Sequence, residues 1–69
     1  MITLWFSFGQ IHHHVIDGKV FDKNCLLEII AVDEAEARQM MFDLFGNKWS
    51  TQYEKLPDMT FFPRGVVTL

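Results

Sequence analysis

The chain has 69 residues, of which 49% are hydrophobic and 22% are charged, and its formal net charge is −3. This length suits one small domain over residues 1–69, and the apolar share excludes a disordered chain. The negative charge argues against general nucleic-acid binding, which gains affinity by neutralising phosphates with basic side chains. No apolar run reaches the ~18 residues of a membrane span and the start lacks a signal-peptide pattern, so we expect a soluble cytoplasmic protein without membrane contact.

The first part of the chain predicts a strand and a hairpin. Residues 2–8, ITLWFSF, alternate between two sides, with Ile2 and Phe8 on the same one, and this pattern is typical of a half-buried strand. Within VIDGKV, the pair Asp17 and Gly18 favours a tight turn because both central positions of such a turn need positive φ. We therefore expect a short hairpin within residues 11–22.

A central strand is predicted over residues 25–32, CLLEIIAV. This run is apolar on both faces except at Glu28, which is typical of a strand covered on both sides. Cys25, the only cysteine, lies inside the run and cannot form an intramolecular disulfide, which suits a reducing compartment. We expect it to act as a small buried hydrophobe.

The one predicted helix covers DEAEARQMMFDLFG, residues 33–46. Asp33 can cap its first turn together with Glu36, and Gly46 can end it. Phe42 falls outside the apolar stripe, so it either contacts another segment or is exposed. The stripe that should face the core consists of Ala37, Met40, Met41, Leu44 and Phe45.

Two further strands and a loop complete the prediction. Residues 48–54, KWSTQYE, alternate with Trp49, Thr51 and Tyr53 on one side, which indicates a third main strand. Residues 56–65 contain both prolines and predict a loop, and VVTL, residues 66–69, is β-branched enough for a final edge strand.

This order of elements predicts an α+β domain of two layers, with a single helix packed on one face of a three- to five-stranded antiparallel or mixed sheet. One helix cannot cover both faces of the sheet. The uncovered face would present Trp5, Leu26 and Ile30 as an apolar patch. We therefore expect a homo-oligomer, or a protein partner, that buries this patch.

Four stretches of the sequence resemble a group of small bacteriophage accessory proteins: FSFGQIHHH, DKNCLLEIIA, EARQMMFDLFGNKWSTQY and MTFFPRG. The group has a Phe-x-Phe-Gly start with a nearby histidine, an Ala-Arg-x-x-Met-Phe helix, and a Phe-Gly-x-x-Trp-x-x-x-Tyr stretch. The resemblance spans most of the chain but brings no established activity. It implies a phage protein in the host cytoplasm, where small acidic proteins bind host machinery or host signalling molecules.

The three histidines of the chain are consecutive, and in an extended segment His12 and His14 project to one side while His13 projects to the other. Asp17 or Asp22 could add a carboxylate, but no cysteine pair or second histidine cluster completes a tetrahedral site, so we expect no metal. Solvated strand-end side chains are the simplest interpretation. The alternative that we test is recognition by His12 and His14 at the mouth of the hairpin.

Two further groups of side chains are candidates for binding a ligand or a partner. The first group would gather near the histidines if the loop folds back, and its side chains could then bind a phosphate and stack on an aromatic ring. Alternatively, Arg38 pairs with Glu34 and Tyr53 belongs to the core. The second is a stiff apolar loop beside a cation, which could equally plug the open end of the core. The first group is Arg38, Gln52, Tyr53 and Arg64, and the second is Phe61 and Phe62 beside Arg64.

These patterns favour stoichiometric binding over catalysis. We expect inhibition of a host protein, in counter-defence or host takeover, with sequestration of a nucleotide-like host signalling molecule as the alternative. A histidine-dependent metal enzyme is a second alternative. No nucleophile and base stand in a known arrangement, so we expect neither catalysis nor a cofactor.

Overall fold

The computed structural model describes residues 1–69. A single helix packs against a mixed sheet, which confirms the predicted α+β class. The elements in chain order are β1 (Ile2–Phe6), β2 (His14–Ile16), β3 (Lys19–Phe21), β4 (Cys25–Ala31), α1 (Glu34–Phe45), β5 (Gln52–Tyr53), a 3₁₀ turn (Met59–Phe61) and β6 (Gly65–Val67). No helix of the chain is long and apolar enough to span a membrane.

Four of the strands form one sheet in the order β5-β1-β4-β6. Its pairs are antiparallel except for β4 and β6, which run parallel. The strand β4 therefore has a neighbour on each side, which confirms that it is central. The strand β6 lies at the edge, as VVTL predicted, although it begins and ends earlier.

The core lies between α1 and one face of the sheet. From the helix it takes Ala37, Met41 and Phe45, which are spaced four residues apart and therefore form a single line along the helix. Met40 is only half-buried and Leu44 is 39% exposed. The predicted stripe was too wide, because the sheet contacts this line and leaves the neighbouring row at the solvent boundary.

The predicted ends of the helix are confirmed by their hydrogen bonds. Oδ1 of Asp33 accepts the backbone N–H of Glu36 at 2.8 Å, and Oε1 of Glu36 accepts the backbone N–H of Val32 at 3.1 Å. At the other end Gly46 has φ 63° and donates its N–H to the carbonyl of Phe42 at 2.9 Å. Both ends of the helix therefore have partners for exposed backbone groups.

The hairpin β2-β3 forms a separate two-stranded sheet. Asp17 and Gly18 both have positive φ, 51° and 78°, so the turn is the one that the Asp-Gly pair predicted. Arg64 fastens the hairpin to the chain before β6, since its guanidinium donates to Oδ1 of Asp22 at 2.8 Å and to the carbonyl of Val20 at 2.7 Å.

The predicted strand over residues 48–54 was wrong at its start, because only Gln52 and Tyr53 are in a strand. Ser7 donates its backbone N–H to the carbonyl of Thr51 and accepts that of Ser50, both at 2.8 Å. Ser50 and Thr51 therefore lie opposite the single residue Ser7, which is the arrangement of a β-bulge. The bulge interrupts the alternation of side chains between the two faces. As a result Trp49 packs on the helix side of the sheet, while Tyr53 lies on the opposite face.

The face of the sheet away from the helix, here called the far face, is partly covered by the chain itself. Tyr53 pairs with Trp5 on this face, and the ring of Phe62, which follows the 3₁₀ turn, lies 6.3 Å from that of Tyr53. Leu26 is fully buried, so its predicted place in an exposed patch was wrong. The segment between β5 and β6 folds over this part of the sheet, and a pattern read along the strand could not reveal it. Ile30 remains 57% exposed.

Candidate binding cleft

A cleft of about 210 Å³ opens where the end of β1, the bulged segment and the 3₁₀ turn meet. It contains three of the side chains that the sequence predicted for binding: Tyr53, Phe61 and Phe62. The sequence analysis missed the other members, because they come from separate loops that only the tertiary fold brings together. The complete lining is Ser7, Gly9, Gln10, Lys23, Ser50, Thr51, Tyr53, Phe61 and Phe62.

The polar floor of this cleft is set by the bulge. The hydroxyl of Ser7, a buried side chain, accepts the backbone N–H of Thr51 at 3.2 Å. The hydroxyls of Ser50 and Thr51 lie 3.2 Å apart. Gly9 has φ 70°, and a Cβ there would lie 3.3 Å from Cβ of Ser50, so glycine allows the two segments to approach closely. The floor is therefore fixed by backbone geometry.

The aromatic wall of the cleft is held by the 3₁₀ turn. Oδ1 of Asp58 accepts both the backbone N–H and the hydroxyl of Thr60, at 3.0 and 2.8 Å. Both hydrogen bonds lower the pKa of Asp58 from its usual range, and the bond from the backbone N–H has the larger effect. This cap orders the turn that presents Phe61, whose side chain is 72% exposed.

Lys23 is the only charged side chain in the lining. Its ammonium group is exposed, and the remaining polar groups are hydroxyls, an amide and the backbone. Such a lining suits an apolar or aromatic group beside an anionic one, because the rings provide a stacking surface and the lysine a single positive charge. An aromatic side chain next to an acidic one, or a base next to a phosphate, would both meet this description.

The histidines lie away from this cleft. The rings of His12 and His14 stack with their centres 6.4 Å apart, so they project to one side as predicted. His14 packs on Phe45 at 4.7 Å and donates from Nε2 to the carbonyl of Lys48 at 2.8 Å. One nitrogen of His14 is thus occupied, and His14 joins the hairpin to the end of the helix. No group of three or more metal-binding side chains is close enough to hold an ion.

The predicted pocket of Arg38, Gln52, Tyr53 and Arg64 around the histidines does not form. Arg38 contacts Glu34 and Gln52, each at 3.4 Å, on the helix side of the sheet. Arg64 is held by the hairpin instead, and Tyr53 lies on the far face. The two guanidinium groups are bonded to different parts of the molecule, Arg38 to the helix and β5 and Arg64 to the hairpin, and neither contacts the histidines.

No protein-family model, curated protein or solved structure matches this chain. The resemblance to phage accessory proteins thus stays an expectation from the sequence.

Proposed function

We propose that this protein is a small phage accessory protein that binds a host protein stoichiometrically and inhibits it. The observation that carries the proposal is Phe61, an aromatic side chain 72% exposed at the rim of a polar cleft with one cation, Lys23. Large aromatic anchors beside a pocket are enriched where binding energy concentrates in protein interfaces, and truncating one costs about 2 kcal/mol or more. An acidic residue of the partner would meet Lys23.

The rest of the surface supports a protein partner. Only 13 of the 69 residues are buried, whereas large hydrophobic side chains are exposed on the far face, at Ile30 and Val66. Exposed apolar surface is costly for a free protein unless binding removes it from water. A partner in the host cytoplasm, engaged for counter-defence or host takeover, would bury part of it.

The test is co-purification from an expressing host, followed by reconstitution with the captured protein. We expect one host protein to be retained by the wild type and lost with Phe61→Ala, and titration calorimetry of the purified pair to give a fixed stoichiometry. Val15→Ala is the matched control, since Val15 is also an exposed apolar side chain, 62% exposed, but lies on the hairpin. If the captured protein binds Phe61→Ala as well as the wild type, or keeps its activity when saturated, the proposal is wrong.

Sequestration of a nucleotide-like signalling molecule is the second candidate. It is favoured by the same cleft, because Lys23 and the hydroxyls of Ser50 and Thr51 lie near the rings of Tyr53 and Phe62. Lysine and hydroxyl groups bind phosphate, and the rings can stack a base. Mass spectrometry of small molecules released by denaturing the purified protein should find such a ligand in the wild type and not in Lys23→Ala. Release of no small molecule would leave the protein partner as the function of the cleft.

A further inference from the structure

Besides the outer edges of the short strands β5 and β6, part of the long strand β1 has no neighbouring strand on one side. The strand β1 pairs with β4 along its whole length, but β5 pairs only with Trp5 and Phe6. Both backbone groups of Ser7 point toward the bulged segment on the β5 side. The backbone groups of alternate residues in a strand point to the same side, so those of Trp5 and Thr3 point to the β5 side as well. Trp5 has Tyr53 as its partner there, but no residue of the chain bonds Thr3 on this side. Residues 2–4 thus form an open edge.

The open edge lies at the bottom of a groove of about 270 Å³ that also contains two carboxylates, Glu34 and Glu54. The protonated carboxyl of Glu54 can donate a hydrogen bond to the carboxylate of Glu34, and this bond, followed by the negative charge of Glu34, raises the pKa of Glu54. The two side chains line the same groove and lie close enough to interact. Arg38 reaches only one oxygen of Glu34, at 3.4 Å, and Lys55 acts on Glu54 only weakly. A further cation between the two carboxylates would therefore be favourable.

Proteins usually protect an open strand edge with lysine, proline or a bulge. Residues 2–4, Ile-Thr-Leu, contain none of these, and the bulge opposite Ser7 protects the other end of β1 only. The second open stretch, residues 28–31 of β4 beyond the end of β6, has Thr68 and Leu69 of this chain beside it. The edge at residues 2–4 therefore combines free backbone groups with two carboxylates that can select a partner.

We propose that residues 2–4 bind an extended segment of a partner protein as an added strand, with a lysine or arginine of that segment placed between Glu34 and Glu54. Backbone hydrogen bonds to Thr3 provide affinity in this mode, and the two carboxylates provide selectivity for a basic sequence. The surface lies at the opposite end of β1 from the cleft that contains Phe61. It is a second interaction surface and does not depend on the proposed function.

The test uses the full chain and labelled synthetic decapeptides, with binding followed by fluorescence anisotropy at low salt. We expect a peptide of alternating valine and lysine to bind at least about fivefold more tightly than one of alternating valine and glutamate, because each exposed ion pair supplies a modest energy. Methylating alternate backbone nitrogens of the lysine peptide should abolish binding, since it removes the strand hydrogen bonds. Equal binding of the lysine and glutamate peptides, or full binding of the methylated one, would overturn the proposal.

Two variants locate the site. Glu54→Gln should weaken the lysine peptide about two- to fivefold, whereas Asp43→Asn, which removes the same charge from an exposed position on the helix, should leave the affinity unchanged. Amide exchange read by NMR should slow at Thr3 on peptide binding. Slowing at Glu28 and Ile30 instead would place the peptide on the β4 edge and refute the assignment. Phe61→Ala should not change peptide binding, so failure here is distinct from failure of the proposed function.

Discussion

His14 combines a polar and an apolar contact that its sequence neighbours lack. Its ring packs between Phe45 and Phe8, with centres 4.7 and 5.8 Å away, and its Nε2 donates to the carbonyl of Lys48 at 2.8 Å. His13, the next residue along the chain, is exposed. His14 therefore has a structural position that His13 lacks, although their side chains are identical.

We expect His14→Ala to destabilise the protein by about 1 kcal/mol, because it removes one hydrogen bond and ring packing at the edge of the core. In a domain of this size that lowers the melting temperature by about 4–8 °C. His13→Ala is the control and should change the free energy of unfolding by less than about 0.5 kcal/mol. Thermal unfolding followed by circular dichroism measures both, and equal effects of the two variants would contradict a structural role for His14. The expected part of His12 and His14 in recognition stays a prediction, and His12→Ala tests it without this loss of packing.

Cys25 is fully buried at the start of β4, with its Sγ 3.7 Å from the carbonyl of Val20. Burial raises the pKa of the thiol and outweighs the backbone hydrogen bond at Asp22 and the charge of Arg64, which lower it. A thiol that stays protonated and buried reacts slowly with alkylating reagents.

We therefore expect iodoacetamide at pH 8 to modify Cys25 only when the protein unfolds, as measured by mass spectrometry with and without urea. The folded state also keeps a proton that the unfolded state releases, so stability should be full below the pKa of an exposed thiol, about 8.5, and should fall as the pH rises above it. Cys25→Ala should remove this part of the alkaline slope. Rapid modification of the folded protein would contradict the buried position.

In the helix α1 the side chains that pack against the sheet are fewer than the apolar side chains on that side of the helix. On a helical wheel five apolar side chains share one side, but the sheet covers only the line of Ala37, Met41 and Phe45. Phe42 is 47% exposed and meets Trp49, with ring centres 5.5 Å apart, so it contacts another segment and remains partly exposed. The bulge at Ser50 and Thr51 is what brings Trp49 to that side.

A pair of substitutions on the helix tests this division. Met41→Ala should cost roughly 2 to 4 kcal/mol because it leaves a cavity in the core. Leu44→Ala removes a side chain of similar size that is 39% exposed, and we expect a cost of less than about 1 kcal/mol. Urea unfolding gives both values. A similar loss for the two variants would mean that Leu44 is buried in solution, for example in an oligomer.

At the scale of the whole molecule, the far face determines whether the chain acts alone. Leu26 is covered by the chain itself, and Trp5 is half-buried with its Nε1 donating to Oε1 of Glu28 at 3.1 Å. Ile30 and Val66 remain exposed, at 57% and 40%. The apolar surface that could support a homo-oligomer is therefore smaller than expected, and Ile30 is its most exposed strand residue.

We expect the purified protein to form a homo-oligomer at tens of micromolar through this face, and Ile30→Lys to convert it to a monomer by placing a charge in the interface. Val15→Lys introduces the same charge on the hairpin and should leave the mass unchanged. Multi-angle light scattering coupled to size exclusion reads the mass. A wild-type monomer, or loss of the oligomer with both variants, would rule out the far face as the contact.

The sequence by itself determined the elements whose causes are local. The turn at Asp17 and Gly18, the caps at Asp33 and Gly46, and the apolar run of β4 each depend on residues close together in the chain. For the same reason the α+β class and the central place of β4 could be predicted. Of the candidate cleft, only Tyr53, Phe61 and Phe62 could be named. Phe61 and Phe62 are visible as a local pattern because they precede a proline, whereas Tyr53 was named for a different pocket, which does not form.

The tertiary structure alone decided everything that depends on segments far apart in the chain. The bulge exists because Ser7 pairs with residues more than forty positions away, and it reverses the side to which Trp49 points. Leu26 is buried on a face that the later segment containing Phe62 partly covers. Arg64 bonds to Asp22 and Val20, more than forty positions away, and so does not join Arg38. The cleft and the open edge of β1 are gaps between such segments. Their position depends on where each strand ends relative to its neighbours in the sheet. The spacing of residues along one strand carries no information about that.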